Sequence, residues 1–426
     1  MAFLSLVLYT LIIYLRPQEI FLELWRAELV MYGAIATAAF AFLTEAWDPQ
    51  RLFKHPALRC LLGFLASAAL SHLSYLYLTG AKESFQEVAK LVVLVVLIVW
   101  IVRTPRRLRL YVWTLLLATG LLAVQGIQQF ITGVNWGGLA MAQHWSEEVP
   151  RIVGLGIFRD PNDLALAMVF VIPFGLESVM GGVLPRSRLV GASILGVLLY
   201  ATYLTRSRGG FLALGACVLT LVAQRVGLKA AIVSAVGMAG GIIALAPGQV
   251  AAALTTDSSS MGRLWLWSEG LQMLKMAPLF GVGQGFFMDY VPKAAHNSVI
   301  TALAETGLVG AFFWIGMYYF AIKDLVRLAG LRRDPDPGIH ELAAIAGMLL
   351  AGVVGYLTAA FFLSRTYVVI TYIPLGLAVA TAQIAAGQRP ALAESARPTQ
   401  RDWAWIAGIE VGIILGIYIL VRTVRW

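Results

Sequence analysis

"KLVVLVVLIVWIVRTPRRLRLYVWTLLLATGLLAVQGIQQF", Lys90–Phe130, holds two apolar runs separated by a seven-residue turn with four arginines. Each run approaches the ~20 residues that an α-helix needs to cross the hydrocarbon layer. Two such helices joined by a short basic turn form a membrane hairpin whose turn faces the cytoplasm. Outward from this pair the pattern repeats. About thirteen apolar segments follow the same length rule: 1–15, 29–45, 57–79, 87–102, 108–130, 161–183, 188–205, 209–224, 229–248, 297–322, 340–363, 367–386 and 403–423.

Composition agrees. Of the 426 residues 59% are hydrophobic and only 13% charged, with a mean hydropathy of +0.79. Soluble domains carry about twice that share of charge. A transmembrane barrel would show short alternating segments instead. The fold class is therefore an all-α polytopic membrane protein of about 12–13 transmembrane helices. The first fifteen residues lack a basic start and a small-residue cleavage site, so they read as a retained span. Cys60 and Cys217 lie inside apolar segments and have no metal-ligand spacing. The formal charge of +9 suits anionic lipid; no interleaved basic and aromatic residues point to nucleic acid.

One membrane domain, 1–426, is expected, with two long outer connections at 131–160 and 249–296 and a polar cytoplasmic linker at 387–402. With a cytoplasmic N-terminus, 18 of the 32 basic residues fall in connections on that side. Arg151, Arg159, Arg206, Arg208, Arg263 and Arg365 then stand at outer ends of spans, where topology does not require them. Singly, each fits an interfacial anchor. As a set on one side they suggest an anion site.

In "TRSRGGFLAL", Thr205–Leu214, Arg206 and Arg208 flank Ser207, and Gly209 and Gly210 permit a tight turn and close approach. If that step is extended, both guanidinium groups point the same way. Paired guanidiniums bind phosphate oxygens bidentately. "FRDPNDLALAM", Phe158–Met168, reads as a helix start, with Asp160 as cap, Pro161 at the first position and Asp163 in a loose capping box. In "GRLWLWSEGLQMLKMAPLFGVGQGFF", Gly262–Phe287, Leu264, Trp267, Leu271 and Leu274 recur at helical spacing, so 262–276 is an amphipathic helix suited to the interface. The glycines after Pro278 read as a flexible loop. Arg263 adds an anion candidate.

"AAHNSVITALAETGLVG", Ala294–Gly310, begins with His296 and Asn297. Asn297, Thr301 and Glu305 fall four residues apart and form one polar stripe that must face protein or water. Glu305 is nine residues from His296, on the far side of an ideal helix. It is expected to hold an arginine or another helix. His296, at a water-accessible mouth, can take a proton from a hydroxyl. "FFLSRTYVV", Phe361–Val369, puts Arg365 in a second near-loopless turn on the same side.

In order and wording these blocks resemble the O-antigen ligase and O-antigen polymerase superfamily of bacterial envelope glycosyltransferases, over about 150–320. The resemblance implies a glycosyltransferase C-type fold in the bacterial inner membrane, with the site facing the periplasm. It implies an undecaprenyl-diphosphate-linked glycan donor and a lipid A–core or lipid-linked glycan acceptor. It implies inverting transfer, without cofactor or metal. His296 would be the catalytic residue. Arg206, Arg208, Arg263 and Arg365, with Arg159 and Arg151, would hold the diphosphate, supported by Asn297, Glu305, Ser207 and Gly209. The first outer loop, "RPQEIFLELWRAE", offers Glu19 and Glu23 but no paired aspartates for magnesium. Ligase and polymerase share these residues. A transporter or flippase of an anionic lipid-linked solute would also need membrane arginines, but would show broken helices and repeated halves, and neither is visible in the sequence.

Overall fold

The computed structural model describes all residues except 22–23, 25–27, 143–149, 181–187, 246–257, 396 and 424–426. Glu23, Arg186, the ends of the segments 161–183 and 229–248, the middle of the 131–160 connection and the start of the 249–296 connection lie outside the described residues.

The long helices are α1 (Ala2–Leu15), α2 (Leu29–Thr44), α3 (Pro56–Leu73), α4 (Leu78–Ile101), α5 (Pro105–Thr132), α6 (Pro161–Met180) and α7 (Arg188–Leu204). After them come α8 (Arg208–Val226), α9 (Leu228–Leu245), α10 (Ser258–Met276), α11 (Ser298–Ala329), α12 (Pro337–Ala360), α13 (Tyr372–Gln388) and α14 (Gln400–Thr423). Among the described residues there is no strand, only two isolated bridges, and nine helices are long and apolar enough to cross a membrane. α2 and α7 are apolar but shorter.

Helix starts follow local chemistry. Proline opens α3, α5, α6 and α12, where its missing N–H costs nothing. The residue before it caps: Thr104 accepts from Arg107 N at 3.2 Å and Asp336 from Gly338 N at 2.9 Å. Each cap contributes about 1 kcal/mol. α4 begins well before the apolar run predicted at 87, because its first turns carry polar residues such as Lys82, Glu83 and Glu87, which a hydropathy threshold excludes.

α6, α11, α12 and α13 form the centre and are buried over most of their length. α2, α8 and α14 present apolar side chains outward, as lipid contact requires. Helix ends joined by side-chain bonds fall into two groups, one at each of two faces. At one face the cations are matched by acids. Arg225 and Arg332 clasp Glu177 at 3.1 and 3.3 Å, His55 and Arg327 hold Asp324 at 2.8 and 2.9 Å, and Lys323 meets Asp402 at 2.6 Å. All but the Arg327–Asp324 pair, which lies within α11, join separate segments where the sequence assigned a cytoplasmic side. The other face carries the candidate site.

α10 buries Leu266, Trp267, Leu271 and Leu274 against α11 and α14, while Trp265 stays exposed. The predicted stripe is therefore the packing face, and Trp267 Nε1 donates to Ala295 O at 3.0 Å.

α11 is broken at Gly307, whose φ of 65° and ψ of −167° belong to glycine alone. The break frees two donors and two acceptors. Leu308 N and Val309 N donate to Pro278 O and Leu279 O at 2.8 and 3.2 Å. Val282 N and Gly283 N donate to Ala304 O and Glu305 O at 2.9 and 3.1 Å. The 278–283 segment thus gives each of the four freed groups a new partner, as buried backbone demands. A Cβ at Gly281 would run into the Glu305 carbonyl, and one at Gly307 into the Leu279 carbonyl. The loop expected to be flexible is therefore pinned. Ser71 Oγ accepts from Gln284 N, and His72 Nε2 lies 3.0 Å from Gln284 O.

Candidate functional site

The site is assembled from four segments at the second face: the start of α6, the α7–α8 turn, the residues before α11 and the α12–α13 turn. Asp160 accepts from Asn162 N and Asn162 Nδ2, both at 2.8 Å, so it caps α6 as predicted. Asp163 does not complete a capping box. It receives the Arg365 guanidinium bidentately, Nε on Oδ1 and Nη2 on Oδ2 at 2.8 Å. Arg365 Nη2 also lies 3.7 Å from Asp160 Oδ2. Asn162 Oδ1 accepts from Ser207 Oγ at 2.7 Å and from Arg151 Nη2 at 3.2 Å, while Arg151 Nε donates to Thr205 O at 2.8 Å. One polar network thus joins Arg151, Asp160, Asn162, Asp163, Ser207 and Arg365.

The network is tied to α11. Ser298 Oγ accepts from Arg365 N at 2.9 Å and donates to Leu363 O at 2.6 Å. Thr366 Oγ1 donates to Ser298 O at 2.7 Å. Asn297 caps α11, accepting from Val299 N and Ile300 N at 2.9 and 3.1 Å. Asn297, Thr301 and Glu305 are all buried, so their stripe faces protein. Glu305 holds no arginine: its Oε1 accepts from Phe287 N at 3.2 Å, clamping the segment that crosses the break.

His296 precedes this cap with φ 49°, a conformation uncommon outside glycine and asparagine. Its ring is half-buried and makes no hydrogen bond among the described residues. Burial lowers its pKa from the ordinary 6.5, and Arg263, Arg365 and Lys293 lower it further against the opposing Asp160. The imidazole is therefore neutral at pH 7 with a nitrogen lone pair available. A reaction that uses it as base should be flat through neutral pH. It should decline only as pH falls through that depressed pKa, in a pH–rate profile of kcat/KM. A rate that fell as pH rose through that depressed pKa would instead require the imidazolium.

The six predicted arginines do not all converge. Arg263 and Arg365 neighbour His296. Arg151 joins the same network. Arg206 is left-handed at φ 51°, not extended, and folds back over the Tyr203 ring at 4.7 Å. Arg206 and Arg208 therefore do not share one direction by strand geometry; Arg208 is exposed at the first position of α8. Arg159 turns away to Glu19 at 3.1 Å. Ser207 caps α8, accepting from Gly210 N at 3.0 Å. Gly209 has ordinary room, whereas a Cβ at Gly210 would come 2.7 Å from Ala165 Cβ, so Gly210 sets the approach of α8 to α6.

Sequence reading missed Asn162 and Ser298 and gave Asp163 the wrong task. The available signal was a second acid in the first turn of a helix otherwise almost wholly apolar. Asp163→Ala should destabilise by about 3–5 kcal/mol, because it strands a guanidinium that is only 20% exposed. Thermal unfolding in detergent measures this, and Asp163→Asn should recover part of the loss. Glu19 is engaged by Arg159 and by Gly156 N at 2.8 Å. Among the described residues no three His, Cys, Asp or Glu side chains converge as a metal site.

Residues 193–315 match a family model described as O-Antigen ligase. That range takes in the Thr205–Gly210 turn, α10, the segment that crosses the break, and His296. A 98-residue stretch is 35% identical to the exopolysaccharide production protein ExoQ of Rhizobium meliloti (strain 1021), over 19% of this chain and 22% of that protein. The match thus spans about a fifth of the relative's length.

Proposed function

We propose, from the premise that this chain belongs to the O-antigen ligase superfamily, that it moves a glycan from undecaprenyl diphosphate to an acceptor hydroxyl at the extracytoplasmic face of a bacterial inner membrane. The observation that carries this reading is the half-buried His296, without a hydrogen bond among the described residues, set among Arg263, Arg365 and Asp160. Members of the family are glycosyltransferase-like enzymes.

The acceptor oxygen attacks the anomeric carbon and its proton passes to His296. The new glycosidic bond forms as the bond from that carbon to the diphosphate oxygen breaks. The lipid diphosphate leaves with the electron pair, and attack opposite to it inverts the centre. Arg263 and Arg208 meet the departing charge, with Arg206 at the rim. Fixed cations aimed at developing charge are the expected device. Arg365 and Arg151, already bonded to Asp163 and Asn162, form the floor beneath them. Arg159, held by Glu19, stands apart.

The likeness to an exopolysaccharide production protein supports chain growth as the second reading, with a lipid-linked glycan as acceptor. The break in α11 corrects the expectation of unbroken helices, on which transport had been disfavoured. Its backbone groups are taken by the 278–283 segment rather than left to line a pathway, so it lends transport no support.

A reconstituted assay tests the proposal. Undecaprenyl-diphosphate glycan is supplied with and without lipid A–core, and products are sized. Product only with the core means a ligase; a ladder without it means a polymerase. No product from verified native substrates ends the transfer reading. Chelator is expected to leave the rate unchanged.

A further inference from the structure

A cavity of about 970 Å³ lies at the same face, separate from His296, between α1, α2 and α4. Its walls are apolar: Met31, Ala34, Ile35, Phe85 and Val93 among them. Its mouth carries Arg16, Gln18, Glu19, Glu28, Lys90 and Arg159. Much of that charge is internally settled. Arg159 pairs with Glu19 at 3.1 Å and Lys90 with Glu87 at 2.6 Å.

Arg16 and Gln18 are not settled. Arg16 Nε and Gln18 Oε1 are buried and have no hydrogen-bond partner among the described residues. A buried guanidinium N–H without an acceptor calls for an explanation, since such groups are nearly always paired. The Arg16 side chain is held where it is: its backbone is left-handed at φ 46°, and its stem lies against Gly156, where a Cβ would not fit. The orphan pair is one charged donor and one acceptor, two positions apart at the mouth of an apolar cavity.

We propose that this cavity binds a lipid whose head carries a phosphate and a hydroxyl. The phosphate accepts from Arg16, the hydroxyl donates to Gln18 Oε1, and the chains lie along α2 and α4. Glu28, the one acid at the mouth with no ion pair among the described residues, disfavours a second negative charge. The site stands whether or not the chain transfers glycans, because nothing in it involves His296. A membrane phospholipid such as phosphatidylglycerol offers this chemistry with a single negative charge, whereas a lipid diphosphate carries two and is disfavoured.

The full chain, purified in uncharged detergent, is titrated with short-chain phosphatidylglycerol and phosphatidylcholine, and bound lipid is read by native mass spectrometry. Phosphatidylglycerol should saturate one site and bind more tightly than phosphatidylcholine. Arg16→Gln should weaken it about tenfold, the worth of a charged hydrogen bond. Val93→Trp fills the cavity from a wall residue that is 42% exposed, so it leaves the core intact, and it should also weaken binding. Equal affinity for both lipids overturns the proposal, as does unchanged phosphatidylglycerol binding in Val93→Trp, which decides the matter if Arg16→Gln does not fold. Undecaprenyl-diphosphate glycan is then added as competitor. Retention of phosphatidylglycerol supports the phospholipid assignment, and displacement overturns it in favour of the lipid-linked glycan. Because transfer is not the readout, failure here leaves the glycan-transfer reading untouched.

Discussion

His296→Asn should abolish transfer, lowering kcat by about 10²–10⁴, the usual contribution of a positioned general base. Asparagine is the informative replacement. It tolerates the left-handed conformation that residue 296 adopts at φ 49°, whereas alanine would add backbone strain to the loss of the imidazole. It also cannot accept a proton at neutral pH. The melting temperature should therefore stay near wild type while the rate collapses, as measured by single-turnover transfer in parallel with thermal unfolding. A variant that kept more than a tenth of the wild-type rate would remove His296 from the chemistry and leave the arginines to act alone.

Gly307→Ala should separate the site from the fold. Alanine cannot adopt φ 65°, ψ −167°, and its Cβ would meet the Leu279 carbonyl. It is, however, the best helix former. The expected response is a straightened α11 with Leu308 N and Val309 N returned to Ala304 O and Glu305 O. The 278–283 segment then loses all four of its bonds to the helix. Transfer should fall by at least about 10²-fold, the cost of an ångström-scale misplacement. The segment should become open to protease between Leu279 and Gly285, while the helical circular dichroism signal holds or rises. Protease resistance equal to wild type would show that the segment is held by Ser71 and His72 alone.

The membrane class and nearly all helix positions were legible because they follow from apolar length, a property local to each segment. Helix starts were legible at Asp160–Pro161 for the same reason: a cap bonds within its own turn. Partners across the bundle were not. Arg365 showed as a cation in a tight turn, but its fork closes on Asp163, about two hundred residues away in sequence, which local reading assigned to a cap. The break at Gly307 was invisible because a glycine in an apolar run is common in membrane helices. What makes this one special is Gly281, which approaches it only in the folded chain. His296 could be singled out, but its neutrality depends first on burial and then on Arg263 and Arg365 from two other segments.

At Gly307 two helical bonds are exchanged for four to the 278–283 segment, and this bears on biogenesis. A 32-residue helix can enter the bilayer whole, with Gly307 helical and the backbone groups of its interior turns paired within the helix. The segment that later replaces its turn belongs to the preceding connection, which must first cross the membrane. Docking gives up two helical bonds and forms four, and the α11 backbone groups are paired before and after it, so insertion does not have to wait for it. The site acquires its shape after the spans are in place, and immature chains are expected to be fully inserted yet inactive.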